Sequence, residues 1–302
     1  MSFARELLGW FERHGRSTLP WRTVRSPYRT VVSEFMLQQT QVDRVAPIFE
    51  RFVATWPSFE ALAAASQADV VRAWKGLGYN SRAVRLHRLA KAVCERFGGR
   101  LPDDEPALRG LPGVGPYTAR AILAFGFGAD VIAIDTNVRR IVHRTQLGIE
   151  WPPQAGAAVL ESLAAALAPP GASYAFNSAL MDLGAAICTA RAPKCLLCPL
   201  QDRCVAAPID APALARLADR HAPRRSLQQR LPFEESDRYL RGRVVDHLRA
   251  LEGAAAISLL DLHGVLAESV PNYERPRVDA AVEGLALEGV VERIGSLVRL
   301  AR

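Results

Sequence analysis

A group of cysteines constrains this chain more than any other feature of its sequence. In CTARAPKCLLCPLQDRC the thiols are those of Cys188, Cys195, Cys198 and Cys204, with gaps of six, two and five residues. Thiols this close predict a metal centre rather than disulfides in a protein without secretory features. Zinc is the usual metal, but zinc sites tend to use two tight pairs, and only one Cys-x-x-Cys occurs here. A four-thiolate iron–sulfur cluster is compatible with the wider loop. Cys94, in a helical stretch far upstream, is expected to be an ordinary buried thiol.

The chain is basic, and nearly all of its positive charge comes from arginine. The 302 residues carry a net charge of +7, and the lysines are limited to Lys75, Lys91 and Lys194. This balance is typical of proteins that bind polyanions, and arginine favours bidentate contact with phosphate. GC-rich coding, which also enriches alanine and glycine, is an alternative source of the arginine.

The sequence lacks the signatures of a membrane span or a secretory signal. Arg, Asp or Glu interrupts every apolar run before it is long enough to cross a bilayer. The N-terminal stretch MSFARELLGWFERHGR is amphipathic and of mixed charge, without an apolar signal core or a cleavage site. We therefore expect a cytoplasmic protein.

Helical periodicity dominates most of the chain and changes character towards its end. Residues 1–207 alternate helical segments with short Gly/Pro breaks, which predicts a mainly α domain. Residues 208–236 are rich in Pro, Ala and Arg and are expected to form a linker or a surface strap. In residues 237–302, two helical faces precede VVERIGSLVRLAR, which predicts two strands joined at Gly295 and Ser296. Helices followed by a hairpin suggest a small winged-helix-like module, a kind that often docks on DNA but also packs on proteins.

The stretch SEFMLQQTQV, from Ser33 to Val42, predicts a helix with an unusual mixture of side chains. Three apolar residues, typical of a buried helix, follow Glu34 directly and precede a run of amides. A carboxylate and amides are costly to bury without partners. Either this face is solvated and Glu34 is an ordinary surface residue, or the face meets a ligand rich in donors and acceptors.

A second motif places glycines between two helical segments. In LRGLPGVGPYTARAIL, Gly113 and Gly115 permit a tight turn with outward backbone N–H groups, next to a helix N-terminus that suits one phosphate. Eighteen residues after Tyr117 comes Asp135, a carboxylate that ends the apolar run of VIAID. Asp135 is also a natural N-cap for a helix beginning at Thr136.

These motifs together resemble the endonuclease III superfamily of DNA glycosylases, in which a helix-hairpin-helix, a Gly/Pro-rich loop with an aspartate, and a [4Fe-4S] loop occur together. The resemblance implies a six-helix barrel module and an iron–sulfur module, with the cluster held by the cysteines within 188–204. It also implies that Arg191 and Lys194 face the DNA backbone, that the hairpin glycines hold DNA, and that Asp135 is catalytic. Members that cleave the strand carry a lysine where this chain has Tyr117, so base removal without strand cleavage is implied.

Three segments are similar to MutY-type adenine DNA glycosylases, which remove adenine mispaired with 8-oxoguanine or guanine: LPWR at 19–22, SEFMLQQTQV, and GLGYNSRA at 76–83. This resemblance covers about residues 1–207. It implies that Glu34 protonates a flipped adenine and that Asp135 stabilises the developing sugar cation. It also implies that Asn137 and Tyr117 lie near the sugar and that Arg22 and Asp182 line the adenine pocket. Gln38 is implied to face the bases, and Gln39 and Tyr79 are implied to wedge into the base stack.

The chain departs from this family in two respects. Asp182 stands where the family often has glutamate, so we expect its shorter side chain to act through a water. Nothing in the sequence corresponds to the C-terminal domain that reads 8-oxoguanine in many members, and we expect a short form of the family.

The same resemblance leaves two alternative functions open and implies what the protein binds. Thymine or uracil mismatch glycosylases share the fold and can share the hairpin tyrosine, and a non-catalytic iron–sulfur DNA-binding regulator is a further alternative. The expected partner is double-stranded DNA with a mismatched or damaged base pair, and no membrane. We expect a monomer in the bacterial cytoplasm, associated with the nucleoid.

Overall fold

The chain divides into two compact units, each assembled from separate stretches of sequence. The computed structural model describes residues 2–151, 153, 155–221, 232–251, 253 and 255–302. The first unit comprises Met1–Val31, Asp103–Arg109 and Val114–Leu227, and the second comprises Val32–Pro102, Gly110–Gly113 and Gln228–Arg302. The C-terminal residues therefore fold in the same compact unit as residues 32–102.

Helices dominate the described residues, which confirms the predicted mainly α fold class. Up to the hairpin glycines they are α1 (Phe3–His14), α2 (Pro20–Thr23), α3 (Pro27–Leu37), α4 (Val42–Thr55), α5 (Phe59–Ala64), α6 (Gln67–Ala73), α7 (Ser81–Phe97) and α8 (Glu105–Arg109). They continue with α9 (Pro116–Ala121), α10 (Thr136–Gln146), α11 (Ala157–Leu167), α12 (Ser173–Ala186), α13 (Ala211–His221), α14 (Asp237–Ala250), α15 (Leu259–Ser269) and α16 (Arg275–Leu287). A π-helix extends α9 over Ile122–Phe127, and short 3-10 turns lie at Cys195–Leu197, Gln201–Arg203 and Phe233–Glu235. No helix in the described parts of the chain has the length and apolarity to cross a membrane.

The core of the first unit forms where α1, α10, α11 and α12 bring their apolar stripes together. Leu7, Ile141, Leu160 and Phe176, one from each of these helices, are almost fully buried. Removing a side chain of this size from water contributes about 1.5–3 kcal/mol. The packing therefore fixes α10, and with it the residues of its first turn.

The first part of the second unit is a group of helices in which α5 and α6 pack against α7. Leu62 of α5, Val70 of α6 and Leu86 of α7 are fully buried, as is Trp74 in the turn after α6. The glycines after Trp74 break the helix as predicted, with φ values of 93° at Gly76 and 67° at Gly78.

The C-terminal part of the second unit has the winged-helix-like arrangement that the sequence predicts. The strands β1 (Ile257–Ser258), β2 (Val291–Ile294) and β3 (Leu297–Leu300) form an antiparallel sheet in the order β1-β3-β2. The hairpin between β2 and β3 turns at Gly295, whose φ is 61°. Val244 of α14 and Val282 of α16 are buried on the helical faces.

The segment expected to be a linker, 208–236, contains regular structure. Residues 211–221 form α13, whose Leu214 is fully buried. Part of the segment, 222–231, lies outside the described residues. The division of the chain at 207 and 237 remains a prediction.

Candidate active site

Glu34 lies in the last turn of α3 and belongs to the second unit. Its exposed fraction is 9%, and those of the adjacent Phe35 and Met36 are 1% and 0%. Glu34 is therefore not a solvated surface residue. Burial disfavours the charged form of a carboxyl group, so these surroundings suit an acid that has to keep its proton.

The amides after Glu34 do not continue the helix, and the prediction of one helix from Ser33 to Val42 is wrong. α3 ends at Leu37, the chain turns, and α4 begins at Val42. Within the turn Gln39 has a φ of 57°, a value that residues other than glycine rarely adopt and that costs about 1–2 kcal/mol. A contact with residues outside 33–42 must therefore stabilise the end of α3 at Leu37 and the turn that follows it.

The buried guanidinium of Arg82, in the first turn of α7, provides that contact. It donates hydrogen bonds to five backbone carbonyl groups. Those of Phe35, Met36 and Gln38 lie at the end of α3 and in the turn after it, and those of Leu77 and Gly78 lie in the turn before α7. In a continuing helix the α3 carbonyls would accept from the following turn. The exposed fraction of Arg82 is 4%, and burial lowers its pKa to about 10, which leaves it charged at neutral pH. One cation thus caps α3 and ties the turn after it to the turn before α7.

Replacing Arg82 with methionine is expected to reduce the free energy of unfolding by at least about 3 kcal/mol, because several buried carbonyl groups lose their donor. Arg82→Lys should recover only part of this, since an ammonium lacks the planar fork of a guanidinium. Urea denaturation followed by circular dichroism measures both variants.

The neighbouring Arg85 is exposed on the same helix, so Arg85→Met is a matched control with an expected change within about 0.5 kcal/mol. Equal losses for Arg82→Met and Arg85→Met would contradict the role given to Arg82.

The turns joined by Arg82 present the residues predicted to contact the base stack. Tyr79 has a φ of 46° and an exposed fraction of 36%, so it is not a plain core aromatic. Tyr79 and the exposed Gln39 line one groove of the second unit. Gln38 is half-buried, and its carbonyl is one of those held by Arg82.

The hairpin motif lies between α8 and α9. Gly113 has a φ of 78°, and a Cβ atom there would lie 2.9 Å from a ring carbon of Phe35, so only glycine fits without a shift. Gly115 is extended and forms the N-cap of α9. Tyr117, in the first turn of α9, is half-buried.

Asp135 of the first unit caps α10, as the sequence suggests. Its Oδ1 accepts from the backbone N–H of Val138 at 2.7 Å, and its Oδ2 accepts from Nδ2 of Asn137 at 2.9 Å. A helix N-terminus favours negative charge. Capping and a catalytic role are compatible here, because the half-buried carboxylate is oriented by two donors and sits where a negative charge is stabilised.

Arg140, one turn further along α10, connects Asn137 to the cysteine loop. Its Nη2 donates to Oδ1 of Asn137 and to the carbonyl of Gly184, both at 2.8 Å, and its Nε donates to the carbonyl of Cys188 at 2.7 Å. A Cβ atom at Gly184 would lie 2.6 Å from Cβ of Asn137, so glycine permits this close approach. Asp135 and its partner Asn137 are thereby held in one hydrogen-bonded chain.

Arg22 and Asp182, both predicted to line the adenine pocket, meet directly in the first unit. Arg22 Nη1 lies 2.7 Å from Asp182 Oδ2, and Arg16 Nη2 lies 2.6 Å from Oδ1. The backbone N–H of Arg16 also donates to Oδ2 at 2.9 Å. Burial alone would raise the pKa of Asp182, but the hydrogen bond and charge of Arg22, together with the hydrogen bonds of Arg16, outweigh burial, and the pKa lies below its usual range. Asp182 is 2% exposed, and both of its oxygens accept hydrogen bonds from guanidinium groups.

The four clustered cysteines line one cavity of the first unit, together with apolar side chains of α10 and α12 and the 3-10 turns. Among the described residues, no three His, Cys, Asp or Glu side chains lie in an arrangement that could hold a single metal ion. Burial, with a smaller contribution from the charges of the three other cysteines, raises the pKa of Cys198 to about 11. Four cysteines that line one cavity are the donor set of a four-cysteine iron–sulfur cluster, so the residues present fit that group. Cys94, on α7, is half-buried rather than buried.

The loop between Cys188 and Cys195 is held by a buried arginine and carries two exposed basic side chains. Arg144, fully buried on α10, donates to Sγ of Cys188 at 3.5 Å and pairs with Glu150. Arg191 and Lys194, predicted to face the DNA backbone, are both exposed. Arg191 pairs with Asp219 at 2.8 Å, in a contact exposed on both sides, which phosphate can displace at small cost.

Comparison with known proteins assigns this combination of site and cysteine loop to a family. The chain matches the HhH-GPD superfamily of base excision DNA repair proteins over residues 32–165 and the iron-sulfur binding domain of endonuclease III over residues 188–204. It is 40% identical over 290 residues to the adenine DNA glycosylase of Mycolicibacterium smegmatis, which covers 95% of this chain and 92% of that protein. The chain belongs to the adenine DNA glycosylase family. The adenine DNA glycosylase of Mycobacterium tuberculosis H37Rv is also 40% identical, over 298 residues, covering 95% of this chain and 89% of that protein.

Solved structures agree with the fold of this glycosylase. A thermostable thymine-DNA glycosylase is 31% identical with a TM-score of 0.61, covering 67% of this chain and 94% of its own. Endonuclease III in a non-covalent complex with DNA, at 22% identity and a TM-score of 0.58, shares the fold over 67% of this chain and 92% of its own. The predicted fold, a helix-hairpin-helix DNA glycosylase with an iron–sulfur module, is confirmed, and DNA is the partner.

The cofactor of this adenine DNA glycosylase family member is a [4Fe-4S] cluster held by Cys188, Cys195, Cys198 and Cys204. When bound, the cluster would join four points of the loop through these cysteines. Through Arg140 and Arg144, the same loop is tied to α10.

Several residues that organise the site of this glycosylase were missed in the sequence. Arg82 carried one usable signal, because an arginine in GLGYNSRA lies at the start of a helix whose next turns are apolar. Arg16 and Arg140 look like ordinary surface arginines of helical segments. Their partners Asp182 and Cys188 are far along the chain, so only the tertiary structure identifies them.

Proposed function

We propose that the protein hydrolyses the N-glycosidic bond of adenine paired with 8-oxoguanine or guanine in duplex DNA and leaves an abasic site. The observation that carries this proposal is Glu34, a carboxyl group buried at the apolar end of α3. The 40% identity to adenine DNA glycosylases over 95% of the chain supports adenine as the base.

Glu34 supplies the proton in this reaction. Adenine is a poor leaving group until a ring nitrogen is protonated, and a general acid contributes about 10²- to 10⁴-fold to such a step. A carboxyl group kept from water retains its proton towards neutral pH. After the base leaves, the resulting carboxylate of Glu34 can accept a proton from the attacking water.

Asp135 stabilises the sugar as the bond to the base stretches. The sugar then gains oxocarbenium character, and an ionised carboxylate lowers the energy of that positive charge. The N–H groups at the start of α10 and the amide of Asn137 hold the Asp135 carboxylate in place. Two carboxyl groups with opposite protonation states are what glycosidic bond cleavage requires.

The pair of Arg22 and Asp182 is assigned to the adenine pocket. Five hydrogen bonds from Arg16 and Arg22 occupy both oxygens of Asp182. Asp182 therefore acts on the base indirectly, because it orients Arg22, and not through the water expected for its shorter side chain. Arg22 brings a donor-rich edge to the acceptor nitrogens of adenine.

Strand cleavage is not part of the proposed reaction. A Schiff base needs a free amine, and the hairpin has Tyr117 where strand-cleaving relatives have lysine. The lysines stand elsewhere: Lys75 in the turn after α6, Lys91 on α7 and Lys194 in the cysteine loop. The expected product is an intact strand with an abasic site.

A pyrimidine mismatch glycosylase is the second candidate, because a thymine-DNA glycosylase is 31% identical with a TM-score of 0.61. The 40% identity to an adenine DNA glycosylase over 95% of the chain favours adenine over this candidate.

Single-turnover excision on four duplexes tests both candidates. We expect excision from A:8-oxoguanine and A:guanine to be faster than from T:guanine and U:guanine by at least about 10²-fold, the discrimination typical of a site whose polar groups pair with one base. Strands should break only after alkali, and borohydride should trap no covalent complex. Faster release of thymine or uracil would favour the second candidate, and borohydride trapping would contradict the role of Tyr117.

We propose that the protein acts at the bacterial nucleoid, where its duplex substrate lies. We also propose that the protein is a monomer, which light scattering after size-exclusion chromatography measures.

A further inference from the structure

A groove of about 830 Å³ lies within the second unit, between the turns tied by Arg82 and the helix α14. The turns contribute Gln39, Tyr79 and Asn80, and α14 contributes Arg238 and Arg243. The winged-helix-like part of the chain, residues 237–302 (the C-terminal module), thus forms one of the walls of the groove that carries Gln39 and Tyr79.

The module is fixed to that wall by hydrogen bonds. Arg249 of α14 donates to Oδ1 of Asn80 at 2.7 Å and to the carbonyl of Val71 at 2.9 and 3.0 Å. Nε2 of Gln67 donates to the carbonyl of Gly289 at 2.7 Å. These contacts are part-buried, so the groove is a built feature of the unit.

The groove has an excess of positive charge. Its two carboxylates are neutralised by arginines, Asp246 by Arg249 at 2.8 Å and Glu288 by Arg241 at 2.7 Å. The remaining arginines of the lining have no carboxylate partner in the part of the chain that the structure describes: Arg44, Arg238 and Arg243.

Arg243 also has a nitrogen in need of a partner. Its Nε is buried and has no hydrogen-bond partner among the described residues. A buried donor without an acceptor is costly. Together with Arg44 and Arg238, which have no carboxylate partner among the described residues, Arg243 gives the lining of the groove the positive charge that suits an anion.

Exposed rings and amides give the groove a second chemistry. Tyr79 and Phe233 are exposed on its lining, as is Gln39. Aromatic faces stack with bases, and amides pair with their edges. Phosphate, base faces and base edges occur together in nucleic acid, and the family establishes DNA as the partner.

Arg238 connects the charge to the ring. Its guanidinium lies 4.6 Å from the centroid of the Tyr79 ring and donates to the Tyr79 hydroxyl. Arg82 approaches the same ring at 5.5 Å. Tyr79, held at a positive φ by its own turn, is thus clamped from the C-terminal module.

We propose that Arg238 is a positioning residue, which holds the Tyr79 ring for the base that this tyrosine is predicted to contact, and that Arg44 and Arg243 in the lining of the same groove bind phosphates of that DNA strand. The inference depends on the DNA repair function but not on which base is excised. It gives the C-terminal module a direct part in DNA binding.

The first test measures affinity for a fluorescent duplex containing a tetrahydrofuran abasic analogue, which offers no base to excise. Arg238→Ala is expected to weaken binding by about tenfold, the cost typical of losing one stacked base. Arg275→Ala is the matched control, because Arg275 is exposed on the same module outside the groove, and it should change affinity by less than about twofold. Equal effects of the two variants would overturn the groove as the binding surface.

The second test separates positioning from simple charge loss. Because Arg238 acts through Tyr79, Arg238→Ala should cost less than about twofold in a Tyr79→Ala background, a clear failure of additivity. Full additivity would overturn the positioning role. Thermal unfolding of each variant checks that the module remains folded, and failure of excision on any duplex would leave both binding results unaffected.

Discussion

Replacing Glu34 with glutamine is expected to remove most base excision while duplex binding is retained. Glutamine has nearly the same shape as glutamate, so the buried end of α3 can keep its packing. It cannot donate an acidic proton, and a general acid contributes about 10²- to 10⁴-fold to rate. The single-turnover rate on an A:8-oxoguanine duplex should fall by that factor. Fluorescence anisotropy on the same duplex should change by less than about threefold, because a neutral acid and an amide differ little in binding.

The same experiment distinguishes chemistry from folding and from a purely regulatory role. Gln39→Ala is a useful comparison, because Gln39 is exposed two residues after the end of α3 and has no acidic proton. This substitution should affect binding more than chemistry. A Glu34→Gln variant that excises normally would show that another group protonates the base. A wild-type protein that binds the duplex and releases no base would favour the regulator without catalysis.

Features with a local signal were predictable from the sequence. Asp135 precedes a helix and carries a side chain that caps helices, and it does cap α10. The hairpin at Gly295 follows from its glycine between two short apolar runs. The cysteine spacing is itself local, so the cluster loop was recognisable without tertiary structure.

Features that depend on contacts between distant residues were not predictable. The run after Glu34 has helical composition, but Arg82, more than 40 residues away, takes the carbonyl groups that a longer helix would use. The contact between Arg238 and Tyr79 joins residues 159 positions apart. In both cases an arginine that looks like part of a solvated face satisfies a buried or aromatic group, and no periodicity in the sequence records its partner.

Replacing Asp135 with asparagine is the other change with a large expected effect. Removing one preorganised charge from a transition state costs about 10²- to 10³-fold in rate, and the oxocarbenium-like sugar loses its counter-charge in this variant. Asparagine caps a helix about as well as aspartate, so α10 should keep its stability. The single-turnover rate should therefore fall on every duplex that the protein cleaves, with little change in duplex affinity.

Asp135→Ala separates the two functions of this side chain. Alanine removes both the charge and the cap, so it should lose activity like Asp135→Asn and in addition lose about 1 kcal/mol of unfolding free energy. Urea denaturation and single-turnover assays on both variants give the comparison. If Asp135→Asn retains the wild-type rate while Asp135→Ala does not, the carboxylate serves only to cap α10, because the amide would then replace it in full. Loss of rate in both variants, with loss of stability only in Asp135→Ala, assigns the charge to the chemistry and the shape of the side chain to the helix.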